Sequence, residues 1–429
     1  MAMKKSAIIL FLVLITLCGN TVLAIEPSFP NERGILLLEE TSGRVLYAQN
    51  QEERFYPAST TKIMTAIVAL ENMNLEDQIT VGSEIKRISS DSSKADLVEG
   101  EILSVKDLLY GLMLPSGNDA AYTLARGVGN AVGKVQDEEG AIEHFIEMMN
   151  QKAKEIGAVH TNFENPHGLH SDNHYTTLED MLLMAQELLK YDIAREIVKT
   201  TNYSLANPLV THKWYNTNYL LHPILDQVSK GLKIGHNPYY TEDVKGMKTG
   251  NTSQAGKCLV FLSSRDNQEL IGILYKSTDE EIWGEAVELL NYAEEQYEYT
   301  KLFEADQKID ELLLDNAKSI DQVPVIVKKD LVLLLGKEES EHMKSQIIYD
   351  KNLLEETSEN TYTLRDNISL EQIIGQISYS FDGKEIGRAD IYSQSDLKVR
   401  SILDYLFYIE IMIAMAMVYL IIHHLKKTR

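Results

Sequence analysis

Ser59 and Lys62 are two residues whose types and spacing could carry out acyl transfer. They lie three residues apart in YPASTTKIMTA, residues 56–66, which has a helical pattern after its proline. Residues at this spacing share one face of a helix, and a serine in the first turn lies where backbone N–H groups favour developing negative charge. A buried lysine has a lowered pKa and can accept the proton of a serine hydroxyl. The pair could therefore be a nucleophile and its base.

This spacing alone is weak support for a catalytic site. Ser-x-x-Lys recurs at residues 83–86 and 395–398, and ordinary serine and lysine usage predicts about one or two chance matches in a chain of this length. Taken alone, the first pair is explained as well by a helix N-cap followed by a solvated lysine.

Two further short motifs change this balance. Ser-Gly-Asn at 116–118 follows one predicted helix and opens another, and Lys-Thr-Gly at 248–250 precedes a predicted strand. In this order, S-x-x-K, S-x-N and K-T-G are the three signatures of the penicillin-recognising serine enzymes. The S-x-N pattern also occurs as Ser-Asp-Asn at 171–173 and as Ser-Glu-Asn at 358–360. The stretch 107–125 around Ser-Gly-Asn favours the motif at 116–118.

Six stretches of the chain closely resemble the low-molecular-weight penicillin-binding proteins that are serine-type D-alanyl-D-alanine carboxypeptidases. They are RGILLLEETSGRVLYAQN, YPASTTKIMTA, DLLYGLMLPSGNDAAYTLA, NPHGLHSDNHYTT, NTNYLL and GMKTGNTSQAGKCLV. The resemblance covers about residues 33–300 in order. It implies an α/β (α+β) transpeptidase fold like that of β-lactamases, in which an antiparallel sheet carries helices on both faces and a helical subdomain. The later part resembles, more weakly, the small all-β C-terminal domain of the same family.

The resemblance implies a catalytic role for four residues. Ser59 would be acylated by the carbonyl of the penultimate D-alanine, and Lys62 would be its base. Ser116 and Asn118 would relay protons and hold the substrate amide. The reaction implied in this way requires no metal and no cofactor.

The resemblance also implies that the K-T-G strand binds substrate. Lys248 would lie near the nucleophile and, with Thr249, would bind the terminal carboxylate. Gly250 would let the strand approach the substrate closely. The oxyanion hole would consist of the backbone N–H groups of Ser59 and Asn251.

The sequence departs from the family pattern at three places. Asn251 stands where relatives often have an aromatic residue or histidine, and we expect little effect because it contributes its backbone. Segment 275–286 lacks the arginine that many relatives carry, and Lys276 could substitute for it as a carboxylate contact. Loop 223–242 is longer than usual and could cover or reshape the cleft.

Other candidate residues have structural explanations that we prefer. His167, His170 and His174 have the type and spacing of a metal cluster, but a polar loop at the cleft edge accounts for them as well. Cys258 in GKCLVFL is interpreted as a small buried side chain on a strand rather than a reactive thiol.

Length and charge limit the class of protein. The chain has 429 residues, which predicts two domains and tails. Its 64 acidic and 41 basic residues give a net charge of −23. Such a protein is a poor partner for nucleic acid, so an anionic substrate requires a local basic site.

Both ends of the chain have the pattern of membrane targeting. Residues 1–24 have the basic, apolar and small-residue regions of a cleaved signal peptide. An apolar run at 406–422 predicts a membrane helix over 405–425, and the basic tail 426–429 predicts a cytoplasmic C-terminus. A helix lying in the membrane plane is the alternative. The body of the protein would then lie outside the cell.

Between these ends, we expect a catalytic domain over 25–300 and a small β-rich domain over 301–400. The first would contain a hairpin at 34–50, an amphipathic helix over 178–199 and paired strands near 258–275. The second would contain hairpins at 323–336 and 377–391.

The sequence thus predicts a membrane-anchored, extracytoplasmic D-alanyl-D-alanine carboxypeptidase. It would trim peptidoglycan pentapeptide stems through a Ser59 acyl-enzyme, and β-lactam antibiotics would acylate the same serine. A β-lactamase, an endopeptidase that cuts cross-links at the same site and a non-catalytic wall-binding module are the alternatives. The expected region contains no Glu-x-x-x-Asn pattern, since Glu164 is followed directly by Asn-Pro, and this disfavours a β-lactamase. The three intact motifs disfavour a non-catalytic module.

Overall fold

The computed structural model describes residues 26–135, 137–224, 235–265 and 268–427. The predicted signal peptide, the middle of loop 223–242 and the last two residues of the tail lie outside these ranges. The chain divides into two compact units, Met1–Glu295 and Gln296–Arg429.

The first unit is built on an antiparallel sheet. In chain order its strands are β1 (Gly34–Glu39), β2 (Arg44–Gln49), β3 (Gln78–Thr80), β4 (Ile102–Ser104), β5 (Asn202–Ala206), β6 (Thr211–Tyr215), β7 (Val244–Thr252), β8 (Gly256–Arg265) and β9 (Gln268–Ser277). Among the described residues, a five-stranded sheet has the order β2-β1-β9-β8-β7, while β3 pairs with β4 and β5 with β6. The predicted hairpin at 34–50 and the predicted pairing of β8 with β9 are confirmed.

The K-T-G motif lies on β7, the edge strand of this sheet. Alternate N–H and C=O groups of an edge strand have no partner within their sheet, so an extended peptide can pair with them. By contrast, all six residues of β1 are buried. That agrees with a strand enclosed between β2 and β9 with side chains covered on both faces.

Helices fill the rest of the first unit. They are α1 (Lys62–Asn72), α2 (Val105–Met113), α3 (Asn118–Gly133), α4 (Glu138–Glu155), α5 (Leu178–Leu189), α6 (Asp192–Lys199) and α7 (Ile282–Gln296). The predicted helix over 178–199 is two helices, because the chain leaves helical geometry at Tyr191. The Arg195 guanidinium then donates to the Leu189 carbonyl at the end of α5.

Helix α1 lies inside the core. Its first eight residues, Lys62 included, are all buried, whereas an amphipathic surface helix buries one stripe only. Met64 and Ile67 belong to the cluster that also contains Val260 and Ile271 of the sheet. The start of α1, next to the predicted nucleophile Ser59, is therefore held by packing against the sheet.

The second unit is rich in β-strands, as predicted. Its elements are β10 (Tyr297–Phe303), β11 (Lys308–Leu314), β12 (Gln322–Ile326), β13 (Leu331–Gly336), α8 (Glu339–His342), β14 (Lys344–Tyr349), β15 (Leu354–Ser358), β16 (Thr361–Leu364), β17 (Ile373–Phe381), β18 (Lys384–Ser393) and α9 (Ile402–Lys427). Seven described strands form one sheet in the order β14-β17-β18-β12-β11-β16-β15, and β10 pairs with β13.

One of the two hairpins predicted in this unit is confirmed and the other is wrong. Strands β17 and β18 pair across Asp382 and Gly383, both at positive φ, as a tight two-residue turn requires. Strands β12 and β13 exist but do not pair with each other: β12 pairs with β11 and β18, and β13 pairs with β10. The connection contains Asp330, which accepts from the Ala305 N–H and forms an ion pair with Lys301 of β10. These contacts direct β13 towards β10.

Helix α9 contains the predicted membrane segment. Its stretch Ile402–His424 is the one helix of the described chain that is long and apolar enough to cross a membrane, and the apolar window is wholly exposed. The membrane assignment of this helix is supported by its length and composition alone.

Candidate active site

Ser59 lies in a 3-10 turn, Ala58–Thr61, that leads directly into α1. The predicted helix therefore begins three residues later than expected, at Lys62. Ala58 has a φ of +46°, a sparsely populated conformation. The turn is closed by Thr60, whose hydroxyl donates to the Pro57 carbonyl over 2.7 Å. The half-buried Ser59 side chain is thus fixed at the head of a buried helix.

Lys62 contacts three oxygen atoms with its buried amino group. Its Nζ lies 3.0 Å from Ser59 Oγ, 2.7 Å from Asn118 Oδ1 and 2.8 Å from the His167 carbonyl oxygen. Burial, together with the charge of Lys248, holds the pKa of Lys62 well below its ordinary value. A neutral amine has two N–H groups for the two carbonyl oxygens and one lone pair for the Ser59 hydroxyl proton. The geometry suits a general base.

Ser116 and Asn118 lie where α2 ends and α3 begins. Ser116 is buried at a φ of +62°, and its Oγ has no hydrogen-bond partner within the described part of the chain. The Asn118 N–H donates to the Ser93 carbonyl over 3.0 Å. A buried hydroxyl without a partner is costly, and a substrate group or a water molecule could satisfy it.

Lys248 and Thr249 place a cation and a hydroxyl on the edge strand. Burial, with the charge of Lys257, lowers the pKa of Lys248 to about 7. Its Nζ donates to the Thr249 carbonyl over 3.0 Å. The Thr249 hydroxyl lies 2.6 Å from the Thr217 hydroxyl. These groups could receive an anionic part of a ligand.

Gly250 is required by a close approach between β7 and the turn Ala58–Thr61. A Cβ at this position would lie 3.0 Å from the Ser59 backbone nitrogen and from the Ala58 Cβ, and 3.1 Å from the Pro57 carbonyl oxygen. A larger side chain must push the strand and the turn apart. The expected close approach of this strand to a substrate is a different contact and stays a prediction.

We expect Gly250→Val to lower the rate of acylation by benzylpenicillin by about 100-fold, since a misplacement near 1 Å has that cost. The rate can be measured by intact-protein mass spectrometry. Asn251→Ala is the matched control, because Asn251 is exposed and is expected to contribute only its backbone. Its rate should stay within about threefold of the wild type. Equal acylation rates in the valine variant and the wild type would show that the close approach is not needed.

A cleft of about 230 Å³ lies in front of these groups. Its lining residues are Ser59, Ser93, Ser116, Thr217, Tyr219, Thr249, Gly250, Asn251 and Lys257. Five of the nine belong to the eight site residues expected from the sequence. The other three, Lys62, Asn118 and Lys248, are buried, and each is bonded to a lining residue or to Lys62.

Four lining residues were not predicted from the sequence: Ser93, Thr217, Tyr219 and Lys257. Thr217 lies in NTNYLL, one of the stretches that carry the family resemblance, but nothing in the sequence indicated that it lines the cleft. Its N–H donates to the Leu114 carbonyl, which attaches it to the end of α2. Lys276, the expected replacement for the missing arginine, does not line the cleft. Its side chain is exposed, and its carbonyl accepts from the Arg33 guanidinium.

The three histidines of the NPHGL region have separate environments. His174 contacts the Thr61 hydroxyl over 2.8 Å, and His170 packs edge-on against the Tyr56 ring. His167 is buried, and its carbonyl binds Lys62. Within the described ranges, no group of three or more His, Cys, Asp or Glu residues could hold a metal ion.

Cys258 is buried in the sheet, in agreement with the structural interpretation. Burial raises the pKa of its thiol to about 12, so the reactive thiolate is scarce at neutral pH.

The described ends of loop 223–242 are anchored beside the cleft. The Asn237 side-chain amide donates to the Tyr219 carbonyl over 2.7 Å and to the His222 carbonyl over 2.8 Å. A β-bridge joins Ile224 to His236. We expected this loop to cover or reshape the cleft. Its middle, residues 225–234, lies outside the described residues, so this stays a prediction.

Comparison with protein families identifies both units. Residues 29–278 match the peptidase family described as D-alanyl-D-alanine carboxypeptidase. Residues 297–399 match the family described as penicillin-binding protein 5, C-terminal domain.

Individual relatives agree with these families. The chain is 28% identical to D-alanyl-D-alanine carboxypeptidase DacF of Bacillus subtilis, over 87% of this chain and 88% of the relative. It is 30% identical to DacA of Haemophilus influenzae, over 84% of each. The solved structure of penicillin binding protein 5 from Haemophilus influenzae covers 87% of this chain and is itself covered fully, with a TM-score of 0.64 at 27% identity. The Streptomyces K15 DD-transpeptidase covers 62% of this chain, with 98% of its own length matched, a TM-score of 0.55 and 30% identity.

Proposed function

The chain belongs to the D-alanyl-D-alanine carboxypeptidases, a family of serine hydrolases that bind penicillin, and we propose that Ser59, Lys62 and the K-T-G strand carry out this reaction here. The substrate would be a peptidoglycan stem peptide that ends in D-Ala-D-Ala. One observation carries the assignment of residues: a buried Lys62 Nζ, with two carbonyl oxygens as acceptors, lies 3.0 Å from Ser59 Oγ.

Acylation would proceed in two steps. Neutral Lys62 takes the proton of the Ser59 hydroxyl as Oγ attacks the carbonyl carbon of the penultimate D-alanine. The resulting oxyanion accepts hydrogen bonds from the backbone N–H groups of Ser59 and Asn251. The carbon–nitrogen bond then breaks, and Lys62 passes the proton it took from Ser59 through the Ser116 hydroxyl to the leaving amine of the terminal D-alanine, which leaves Lys62 neutral again.

Deacylation would use Lys62 as the base again, with a water molecule as the nucleophile and Ser59 as the leaving group. A water molecule loses a proton to Lys62 and attacks the ester carbonyl, and Ser59 recovers its proton as the stem peptide leaves. Asn118 holds the Lys62 amine in position throughout, because it accepts one of its N–H groups. No step of this scheme requires a metal or a cofactor.

Release of D-alanine from a pentapeptide ending in D-Ala-D-Ala tests this function. We expect the full chain, purified in detergent, to release one D-alanine for each peptide and to lose this activity after treatment with benzylpenicillin. Absence of release from both the pentapeptide and intact peptidoglycan would contradict the proposal.

We also propose that α9 anchors the protein in the membrane, with both globular units on the extracytoplasmic side. Support comes from its apolar, wholly exposed stretch Ile402–His424 and from the signal-peptide pattern of residues 1–24. We expect the full chain to remain in the membrane pellet after alkaline carbonate extraction. A chain ending at residue 400 should be soluble. Release of the full chain by carbonate would contradict a membrane-spanning anchor.

A further inference from the structure

The charge of the cleft presents a problem that the expected site residues do not solve. A substrate that ends in a free carboxylate needs a cation near its terminus, and segment 275–286 contains no arginine. Lys248 is a weak candidate for this role by itself. It is 1% exposed, its amine already donates to the Thr249 carbonyl, and with a pKa of about 7 it is only partly charged at neutral pH.

Lys257 is the second cation of the cleft. It lies at the start of β8, opposite Asn251 of β7 on one side and Ser277 of β9 on the other. It lines the same cleft as Ser59 and Thr249. Its side chain is 18% exposed, so it is largely sheltered but reachable from the cleft.

The sheet register places Lys257 on the side of Thr249 rather than on that of Lys248. Residues directly opposite in a sheet project from the same face, as do residues two apart along one strand. Lys257 pairs with Asn251, and Asn251 is two residues from Thr249. Lys248 projects from the other face. The Thr249 hydroxyl and the Lys257 ammonium can therefore meet one group of a ligand.

In the structure the Lys257 ammonium forms an ion pair with the Asp279 carboxylate. The Asp279 side chain is 68% exposed, and ion pairs with so exposed a partner contribute little stability. Exchange of this carboxylate for that of a substrate therefore costs little.

We propose that Lys257 binds the terminal carboxylate of the substrate, together with the hydroxyls of Thr249 and Thr217. It thereby takes the place of the arginine that segment 275–286 lacks. Charge-assisted hydrogen bonds to a carboxylate are stronger than neutral ones, so Lys257 would select peptides with a free C-terminus. This inference rests on the proposed function, since it names the group that recognises the end of the same substrate.

Pairs of ligands with and without the carboxylate test the inference. The first pair is benzylpenicillin and its methyl ester, compared by their rates of acylation. The second pair is a peptide ending in D-Ala-D-Ala and its C-terminal amide, compared by kcat/KM. For Lys257→Met we expect a loss of about 10- to 100-fold with each free acid and a change of less than about threefold with the ester and the amide.

Two further variants serve as controls. Lys276→Met removes a nearby lysine that does not line the cleft, and it should leave all four rates within about twofold of the wild type. Lys257→Arg keeps the charge and should recover most of the rate with the free acids. A thermal unfolding midpoint equal to that of the wild type shows that each variant is folded.

Three results would overturn the inference. They are wild-type rates in Lys257→Met, an equal loss with acid and ester, and failure of arginine to restore the preference for the acid. Failure of the proposed function looks different, because the wild type itself would release no D-alanine. The penicillin pair would still decide the role of Lys257 in that case, since acylation by benzylpenicillin requires no peptide turnover.

Discussion

Ser59→Ala is expected to lower kcat/KM for D-alanine release by about 10³-fold or more, because the bond-forming atom of the mechanism is removed. The same variant should form no covalent adduct with benzylpenicillin. Fold and stability should persist, since the Ser59 side chain is half-buried and its bond in the site is the one with Lys62. Activity is measured by D-alanine release, and folding by circular dichroism.

Ser83→Ala is the matched control for this variant. Ser83 begins a second Ser-x-x-Lys sequence, but its hydroxyl donates to Glu138 on the surface. The lysine of that sequence, Lys86, has a side chain that is 68% exposed and forms an ion pair with Glu99. The control variant should keep wild-type activity. A Ser59→Ala protein that is folded and retains more than about a tenth of the activity would show that the nucleophile is elsewhere.

Lys62→Met is expected to separate activity from stability. The rate of acylation by benzylpenicillin should fall by about 10³-fold, because no other amine lies within hydrogen-bond distance of Ser59 Oγ among the described residues. The thermal unfolding midpoint should fall only modestly. Methionine removes the hydrogen bonds of the Lys62 amine to Asn118 Oδ1 and to the His167 carbonyl, but it also removes the cost of burying an amine whose pKa burial lowers.

Lys86→Met is the control for general effects of losing a lysine, and it should change neither the acylation rate nor the unfolding midpoint.

The pH dependence of acylation adds a second check on the role of Lys62. Acylation of the wild type needs the neutral form of Lys62, so its rate should rise as pH increases through the lowered pKa of this group. A Lys62→Met protein that is acylated within about tenfold of the wild-type rate would exclude Lys62 as the base.

The sequence was sufficient to locate the main groups of the cleft because they lie in three short motifs. Ser59 and Lys62 are joined by one turn of chain, so their contact follows from local geometry. Lys62 and Asn118 are 56 residues apart, and their contact could be expected only from the resemblance. The 3-10 turn at Ala58–Thr61 was missed, since helix patterning does not distinguish it from the first turn of α1.

The choice of Lys257 as the proposed replacement for the missing arginine could not be made from the sequence. Lys276 lies in the segment where relatives carry that residue, whereas Lys257 lies on the preceding strand. The choice between them depends on the register of β7, β8 and β9, because a shift by one residue moves a side chain to the opposite face. Propensity and patterning do not determine this register.

The wrong hairpin at 323–336 has a similar cause. Both segments have strand patterns, and strands close in sequence often pair. Strand β12 pairs instead with β11, its neighbour on the other side in the chain, and with the distant β18, while β13 pairs with β10. The hairpin of β17 and β18 was predictable because Asp382 and Gly383 form a turn with a strong local signal.

The most direct test of the central claim is to locate the covalent adduct formed by benzylpenicillin on the full chain. After brief exposure, intact-mass measurement and peptide mapping should show one adduct, on Ser59, that persists while D-alanine release is blocked. An adduct on another residue would contradict the assignment of the nucleophile. Rapid hydrolysis of penicillin without a lasting adduct would contradict the carboxypeptidase account and indicate a β-lactamase.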